Sequence, residues 1–379
     1  MYKIRYTNPV LDGSGYAACG RTYIKALIDK GHDVTINQVS FEAARPDIGE
    51  FTDYIMPNIG RNIDYDINIV HLTPEQYPMY MQYGKINVGF TVWETTKIPQ
   101  LWVDCCNKMD AIIVPCDWNV EVFRDSGVVV PIYCVPHVVD YEGRDANVAP
   151  FKVNGVPDSA FKFYSIFQFV ERKDPVSILK AYWHAFTADD NVALILKTYR
   201  SDYSDVEKQV VIETVKRIKV SMPMPEGQVH APVYLITDML SVDEITGLHK
   251  YGDCFVSFNR AEGFGLPEAE AAVLGNPVIV TGFGGVLEYL NNGNSLLVDY
   301  TLTPVSGMPH IPWYTGDQLW AQANTYHAAE LMKQIYNDKK LYDKVSKNAK
   351  QTVSNQLSYK SIGNLYSEAL DSIMEFAGK

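Results

Sequence analysis

The stretch Asn259–Glu270, NRAEGFGLPEAE, constrains the fold more than any other part of the chain. Before it runs YGDCFVSF, an apolar segment with Asp253 near its head, which reads as a buried parallel strand. Pro267 falls where the first turn of a helix begins, and Gly275 where that helix ends. Asn276-Pro277 punctuates, and PVIVT supplies the next strand. Gly263, Phe264 and Gly265 then form the loop between a strand's carboxyl end and a helix's amino end. Backbone N–H groups and the positive helix terminus make such a loop an anion site.

Two carboxylates bracket the loop. Glu262 precedes it, and Glu270 stands eight positions later, one turn into the helix. Two acids suit plain phosphate poorly. They suit a ligand with hydroxyls on both sides of a diphosphate, because each carboxylate accepts hydrogen bonds from hydroxyls. A nucleotide sugar has that shape. The alternative is that Glu268 and Glu270 only complement the helix dipole and that Glu262 is a solvated loop residue.

Glu262-Gly263-Phe264-Gly265-Leu266-Pro267 through Glu270 resembles the E-x7-E signature of the family-4 retaining glycosyltransferases. The flanks agree with it: Asp253, Gly275-Asn276-Pro277-Val278, Gly284-Gly285 and Glu288. The resemblance implies an α/β protein of GT-B fold, with two doubly wound Rossmann-like domains facing each other across a cleft. On that basis residues 1–150 form the acceptor-side domain and 151–355 the donor-side domain, while 356–379 form a helix crossing back to the first. It also implies retaining, metal-independent transfer of a hexose or pentose from a donor such as a UDP- or GDP-sugar, with no cofactor. Glu262, Lys173 and Arg172 would be catalytic. Gly13, Gly15, Lys197, Gly263, Phe264, Gly265, Leu266 and Glu270 would bind donor.

The amino-terminal half opens as a β-loop-α-β unit: strand Lys3–Thr7, a loop with Gly13 and Gly15, helix Tyr16–Lys30 and strand His32–Val39. The third glycine of a dinucleotide fingerprint is replaced by Ala18. Strands are expected at Tyr65–His71, Ile86–Val92, Ala111–Pro115 and Ile132–Val135. His71 and Trp93-Glu94 end two of them, where open α/β sheets bind ligands. His71 is a candidate sugar contact or a hydrogen-bonded core histidine. Trp93 and Glu94 are candidate acceptor contacts, and Glu94 departs from the histidine common in the family. Glu94 either accepts from a sugar hydroxyl or caps the turn with Thr95 and Thr96. Tyr141–Ala160, with Gly143, Pro150, Gly155 and Pro157, reads as a linker.

The carboxyl-terminal half opens with strand Phe161–Phe169, then Glu171-Arg172-Lys173-Asp174-Pro175 and helix Val176–Phe186. Arg172 and Lys173 at a strand-to-helix loop can hold a diphosphate and stabilise the charge that develops as it leaves. Gln168 replaces a residue that contacts phosphate in many relatives. Val192–Thr198 is a strand carrying Lys197, Ser204–Lys219 a helix, and Val233–Ile236 a strand. Ser241 caps a helix reaching Lys250. Thr301–Gly316 reads as a loop, and Trp320–Tyr336, Leu341–Asn355 and Tyr359–Phe376 as helices.

The 379 residues suffice for two cores, and 47% hydrophobic with 21% charged residues is a globular composition. No apolar run reaches bilayer length and no signal peptide precedes Met1-Tyr2-Lys3. The six cysteines, none in a C-x-x-C pair, read as reduced thiols, so a cytoplasmic protein is expected. No His/Cys/Asp/Glu run has metal-ligand spacing. The formal net charge of −12 speaks against a broad basic surface. A soluble acceptor, a saccharide or small molecule, is therefore expected. A modified base in DNA is the alternative acceptor. It would need a basic stripe drawn from Lys3, Arg21, Lys25, Arg45, Arg61, Lys85, Lys97, Lys108 and Arg124. A nucleotide-sugar epimerase, which needs no acceptor, is the second alternative.

Overall fold

The structure is a computed structural model and describes residues 1–41, 46–141 and 146–378. Arg45 and Gly143 lie outside the described residues. The chain forms two compact units, Met1–Asp140 with Asn355–Lys379, and Tyr141–Ser354.

In the first unit strands and helices alternate: β1 (Lys3–Asn8), α1 (Gly15–Asp29), β2 (Asp33–Gln38), α2 (Thr52–Ile55), β3 (Ile67–His71), α3 (Tyr77–Tyr80), β4 (Ile86–Phe90), α4 (Gln100–Cys106), β5 (Ala111–Val114), α5 (Asp117–Asp125) and β6 (Ile132–Cys134). The six strands form one parallel sheet in the order β2-β1-β3-β4-β5-β6. β3 and β4 are buried along their whole length, as parallel strands covered on both faces must be.

The second unit runs β7 (Phe161–Gln168), α6 (Pro175–Ala185), β8 (Val192–Tyr199), α7 (Asp205–Ser221), β9 (Val233–Ile236), α8 (Val242–Tyr251), β10 (Cys254–Ser257), α9 (Leu266–Val273), β11 (Val278–Thr281) and β12 (Leu296–Val298). Its six-stranded parallel sheet has the order β12-β11-β10-β7-β8-β9. The chain lays β7, β8 and β9 outward in one direction, then returns to lay β10, β11 and β12 in the other. The reversal falls between β7 and β10, and open α/β sheets bind ligands outside the strand ends at such a point. The loops after β7 and β10 carry Glu171–Asp174 and Asn259–Gly265. Ser241 caps α8 as expected, and with Glu244 it forms a capping box.

Two expectations fail together. Thr301–Gly316 is not simply a loop and Trp320–Tyr336 is not one helix. β13 (Tyr300–Pro304) pairs antiparallel with β14 (Leu319–Ala323), and α10 (Thr325–Asn337) starts only after Asn324 caps it. Trp320 is fully buried in the small cluster beside Ala261 and Val305, and that tertiary anchor overrides the helical propensity of its neighbours.

α11 (Lys339–Gln356) leads to α12 (Tyr359–Phe376), which belongs to the first unit. Ile362, Tyr366, Leu370 and Ile373 form a buried stripe at helical spacing, each worth about 1.5–3 kcal/mol on burial. Gly363 lets the helix approach α1: a Cβ there would lie 2.9 Å from Lys30 and 3.4 Å from the Ala26 carbonyl. Val148 and Phe151, at the start of the second unit, bond to α8 through Lys250 and Gly247. Among the described residues, no helix is long and apolar enough to cross a membrane.

Candidate active site

The two loops at the reversal are fastened to each other by backbone. Arg260 N donates to the Arg172 carbonyl at 2.8 Å, and Arg172 Nη1 donates to the Ala261 carbonyl at 2.9 Å. Asp174 then locks the first loop. It is the only non-glycine described residue at positive φ, at 43°, a conformation that costs an ordinary side chain of order 1–3 kcal/mol. Its buried carboxylate offsets that cost by accepting from Ser177 N at 3.1 Å, Ser177 Oγ at 2.6 Å, Arg260 Nε at 3.2 Å and Gln322 Nε2 at 3.1 Å. Arg260 also pairs with Glu171 at 2.9 Å and lies over the Trp320 ring at 5.2 Å. The β13–β14 hairpin thus braces the turn that presents Arg172 and Lys173.

Those two cations meet Glu262. Oε2 of Glu262 takes Lys173 Nζ, Arg172 Nη1 at 3.4 Å and Asn259 Nδ2 at 3.0 Å. Oε1 has no protein hydrogen-bond partner among the described residues. Burial raises the Glu262 carboxyl's affinity for its proton, but the Lys173 ammonium and the Arg172 guanidinium outweigh it and hold the pKa below the ordinary value. The group is a carboxylate clamped by two cations.

The glycine loop is packed from beneath. Gly284, at φ +83°, and Gly285 lie against the Glu262-Gly263 backbone, and a Cβ on Gly285 would come within 2.0 Å of the Gly263 carbonyl oxygen. Gly285 N donates to the Glu262 carbonyl at 2.8 Å, and Tyr289 Oη to that of Phe264 at 3.1 Å. Gly265 adopts φ +87° and caps α9, with Leu266 as the first helical residue. The expected loop residues Gly263, Phe264, Gly265 and Leu266 therefore stand together at the helix's amino end. Glu270 lies further along α9, half-buried, with Oε2 at 3.6 Å from Nε2 of the buried His249. His249 is itself held by Tyr164 at 2.9 Å.

Lys197 stands at the carboxyl end of β8, two strand spacings or roughly 10 Å from β10. It is buried against the faces of Tyr199 and Tyr203, with Nζ at 5.8 and 5.0 Å from their centroids. Burial pulls its pKa down to about 8.

The remaining candidates belong to the first unit. Gly13 lies exposed in the loop after β1 and Gly15, also exposed, is the first residue of α1, which Ser14 Oγ caps by accepting from Ala17 N at 3.3 Å. His71 does end β3, but it is a core residue. Its Nδ1 lies 2.9 Å from Tyr6 Oη and its ring stacks on Phe90 at 4.3 Å. Trp93 is buried too, donating Nε1 to Thr95 Oγ1 at 2.7 Å and to the Lys97 carbonyl at 2.8 Å. The contacts of His71 fit the core-histidine reading of the two, and Trp93 is 3% exposed. Glu94 is half-buried, close enough to influence Tyr16.

The sequence reading missed Asn259, Asp174 and Glu268. Glu268 reads as a solvated first-turn acid, yet it is 2% exposed and its Oε1 accepts from Ser257 Oγ at 2.5 Å and Asn259 Nδ2 at 3.1 Å. The available signal was its position: it shares a helix face with Ala271 and Ala272, both buried in the structure.

The fold is found in known structures. Sucrose-phosphate synthase from Thermosynechococcus elongatus superposes with a TM-score of 0.70 at 13% identity, covering 100% of both chains. HepE from Anabaena, in complex with UDP-glucose, superposes with 0.66 at 13% identity over 98% of this chain and 100% of that one. The fold is GT-B. In GT-B terms, the described residues supply two Rossmann-like units, each with a six-stranded parallel sheet. No family model matches the chain. The uncharacterized protein 356 of Sulfolobus islandicus rod-shaped virus 1 is 24% identical over 296 residues, 72% of this chain and 78% of that protein.

Proposed function

We propose that the chain is a retaining glycosyltransferase that moves a sugar from a nucleotide-sugar donor, such as a UDP- or GDP-sugar, to a hydroxyl of a soluble saccharide or other small acceptor. One observation carries the reading: Glu262 turns one carboxylate oxygen to Lys173 and Arg172 and leaves the other without a hydrogen-bond partner among the described residues. A single group thereby organises the cations for a diphosphate and keeps an acceptor for a sugar hydroxyl. HepE, of the same fold, binds UDP-glucose.

In this reading the diphosphate lies at the amino end of α9, against Lys173 and Arg172. Each cation has further N–H donors after meeting Glu262. They supply the positive charge that the leaving group needs, without a metal. The bond between the anomeric carbon and the phosphate oxygen breaks, its electron pair leaving with the phosphate. An oxocarbenium-like sugar remains, and Oε1 of Glu262 fixes one of its hydroxyls. The acceptor oxygen bonds to the anomeric carbon from the face the phosphate has left, and its proton goes to the departing phosphate. Glu270 accepts from the ribose. Lys197 completes the donor contacts within the second unit.

The basic residues of the first unit favour a small acceptor over DNA. Lys25 pairs with Asp29 at 2.5 Å, Arg61 with Asp33 at 3.0 Å and Lys85 with Asp64 at 3.1 Å. Arg21 donates to the Val10 and Asp12 carbonyls at 2.9 and 3.0 Å. A donor screen scored by released nucleoside diphosphate, with and without a glycan panel, tests the reading. Acceptor-dependent release with retained anomeric configuration is expected. Interconversion of the donor without acceptor would make the chain an epimerase.

A further inference from the structure

A buried acid stands behind Glu262 that the proposed chemistry does not touch. Glu268 sits on α9 facing β10, at a depth where the neighbouring side chains are Ala269, Ala271 and Ala272. An apolar residue would fill that place without the cost of desolvating a carboxyl group. Its Oε2 is buried with no hydrogen-bond partner among the described residues, directly behind Gly265, where an added Cβ would lie 2.9 Å from it. Its Oε1 is committed to Ser257 Oγ and Asn259 Nδ2. The same Nδ2 reaches Glu262 Oε2. One amide nitrogen therefore bridges the two carboxyl groups, and the Asn259 side chain can present it to Glu262 only while its amide keeps this orientation.

We propose that Glu268 is a positioning residue: with Ser257 it orients the Asn259 amide, and so fixes the rotamer in which Glu262 aims Oε1 at the donor sugar. This rests on the glycosyltransferase reading of the site. A carboxylate held only by Lys173 and Arg172 can swing about its terminal bonds, because both cations sit on long, flexible stems. Asn259 supplies a third, short and rigid point of attachment. Glu268 is what stops that amide from turning its carbonyl to Glu262, which would repel it.

Three variants test this: Glu268→Leu, Glu268→Gln and Asn259→Ala, with the Asn259→Ala/Glu268→Leu pair. A loosened reacting geometry costs on the order of 10²-fold in kcat, so Glu268→Leu should lose about that much with donor KM within about threefold. Glu268→Gln keeps an Oε1 acceptor and should hold kcat within about threefold, since only the hydrogen bond is needed. The double variant should be no worse than Asn259→Ala alone, in kcat and in thermal midpoint. Wild-type kcat in Glu268→Leu, equal damage in Glu268→Gln and Glu268→Leu, or losses that multiply in the pair would each overturn the proposal. Calorimetry with UDP and GDP separates the two claims. A wild type that binds neither sinks the donor-site reading, while the thermal cycle between Asn259 and Glu268 still decides whether they act as one unit.

Discussion

Lys173 and Arg172 reach the same carboxylate oxygen, Oε2 of Glu262, and Asn259 shares it. In the proposed reaction Glu262 would be both a group poised for the sugar and the counter-ion of the cations that meet the diphosphate. Its removal should separate the two roles. In Glu262→Gln, turnover should fall on the order of 10²-fold or more, as for the loss of a group that stabilises developing charge. Nucleoside diphosphate should bind more tightly, by up to about tenfold or ~1.4 kcal/mol, because two cations lose their internal anion. Titration calorimetry of this variant checks it. Weaker binding would mean that Glu262 holds the cations in place more than it competes for them.

Lys173→Ala should act in the opposite sense on binding. Losing a charged hydrogen bond to phosphate costs about 1.5–3 kcal/mol, so affinity for the diphosphate should drop by roughly 10- to 150-fold. It also removes the first of the charges that hold the Glu262 pKa down. A carboxyl depressed in the folded state contributes stability that is present above the unfolded value, about 4.3, and is lost as pH falls through the folded value. Urea midpoints measured below that value should fall less steeply with acid in Lys173→Ala than in the wild type. Parallel curves would show that Arg172 alone holds the carboxylate.

The first unit carries a separate acid sensitivity. His137 is buried beside Tyr23, with Nδ1 at 2.8 Å from the hydroxyl, and burial lowers its pKa to about 3. His71 is lowered too, first by burial and then by His137. A histidine kept neutral in the folded state binds a proton on unfolding once the pH is below about 6.5. Stability should therefore fall as pH drops from there, by up to about 1.4 kcal/mol per pH unit for each histidine. His137→Gln should remove one such contribution from the slope. A slope unchanged in His137→Gln would mean that His137 titrates normally.

The sheet strands and the glycine loop were legible in the sequence because parallel strands buried on both faces are continuous apolar runs, and because Pro267 and Gly275 punctuate α9. The Lys173–Glu262 pairing was legible as two loops at one sheet edge, though not as a direct ion pair. What escaped depends on contacts distant in sequence. Asp174 reads as an ordinary helix start. Its positive φ persists because Arg260 and Gln322, 86 and 148 positions away, satisfy its carboxylate. Trp320 reads as the start of a helix, and only its burial beside Ala261 and Val305 turns its segment into a strand. His71 and Trp93 stand where ligand contacts are expected, yet they point into the core. The direction of a side chain at a strand end follows from its neighbours, and local spacing does not contain it.

Binding to DNA neutralises phosphates and releases counter-ions, so affinity falls with a log–log slope of about −0.9 per phosphate contact. Binding of a neutral sugar has no such term and should barely respond to salt. Lys25, Arg61 and Lys85 already face aspartates, so the first unit would have to break these pairs to use them on a phosphate backbone. Exposed pairs are worth little, ~0.2–1 kcal/mol each, and break readily, but their aspartates remain and repel phosphate. Transfer measured with a radiolabelled donor, offering a glycan panel beside modified DNA at low and moderate salt, should put label into glycan with little salt dependence. Label in DNA alone, fading steeply as salt rises, would reverse the proposed acceptor and leave the proposed donor site untouched.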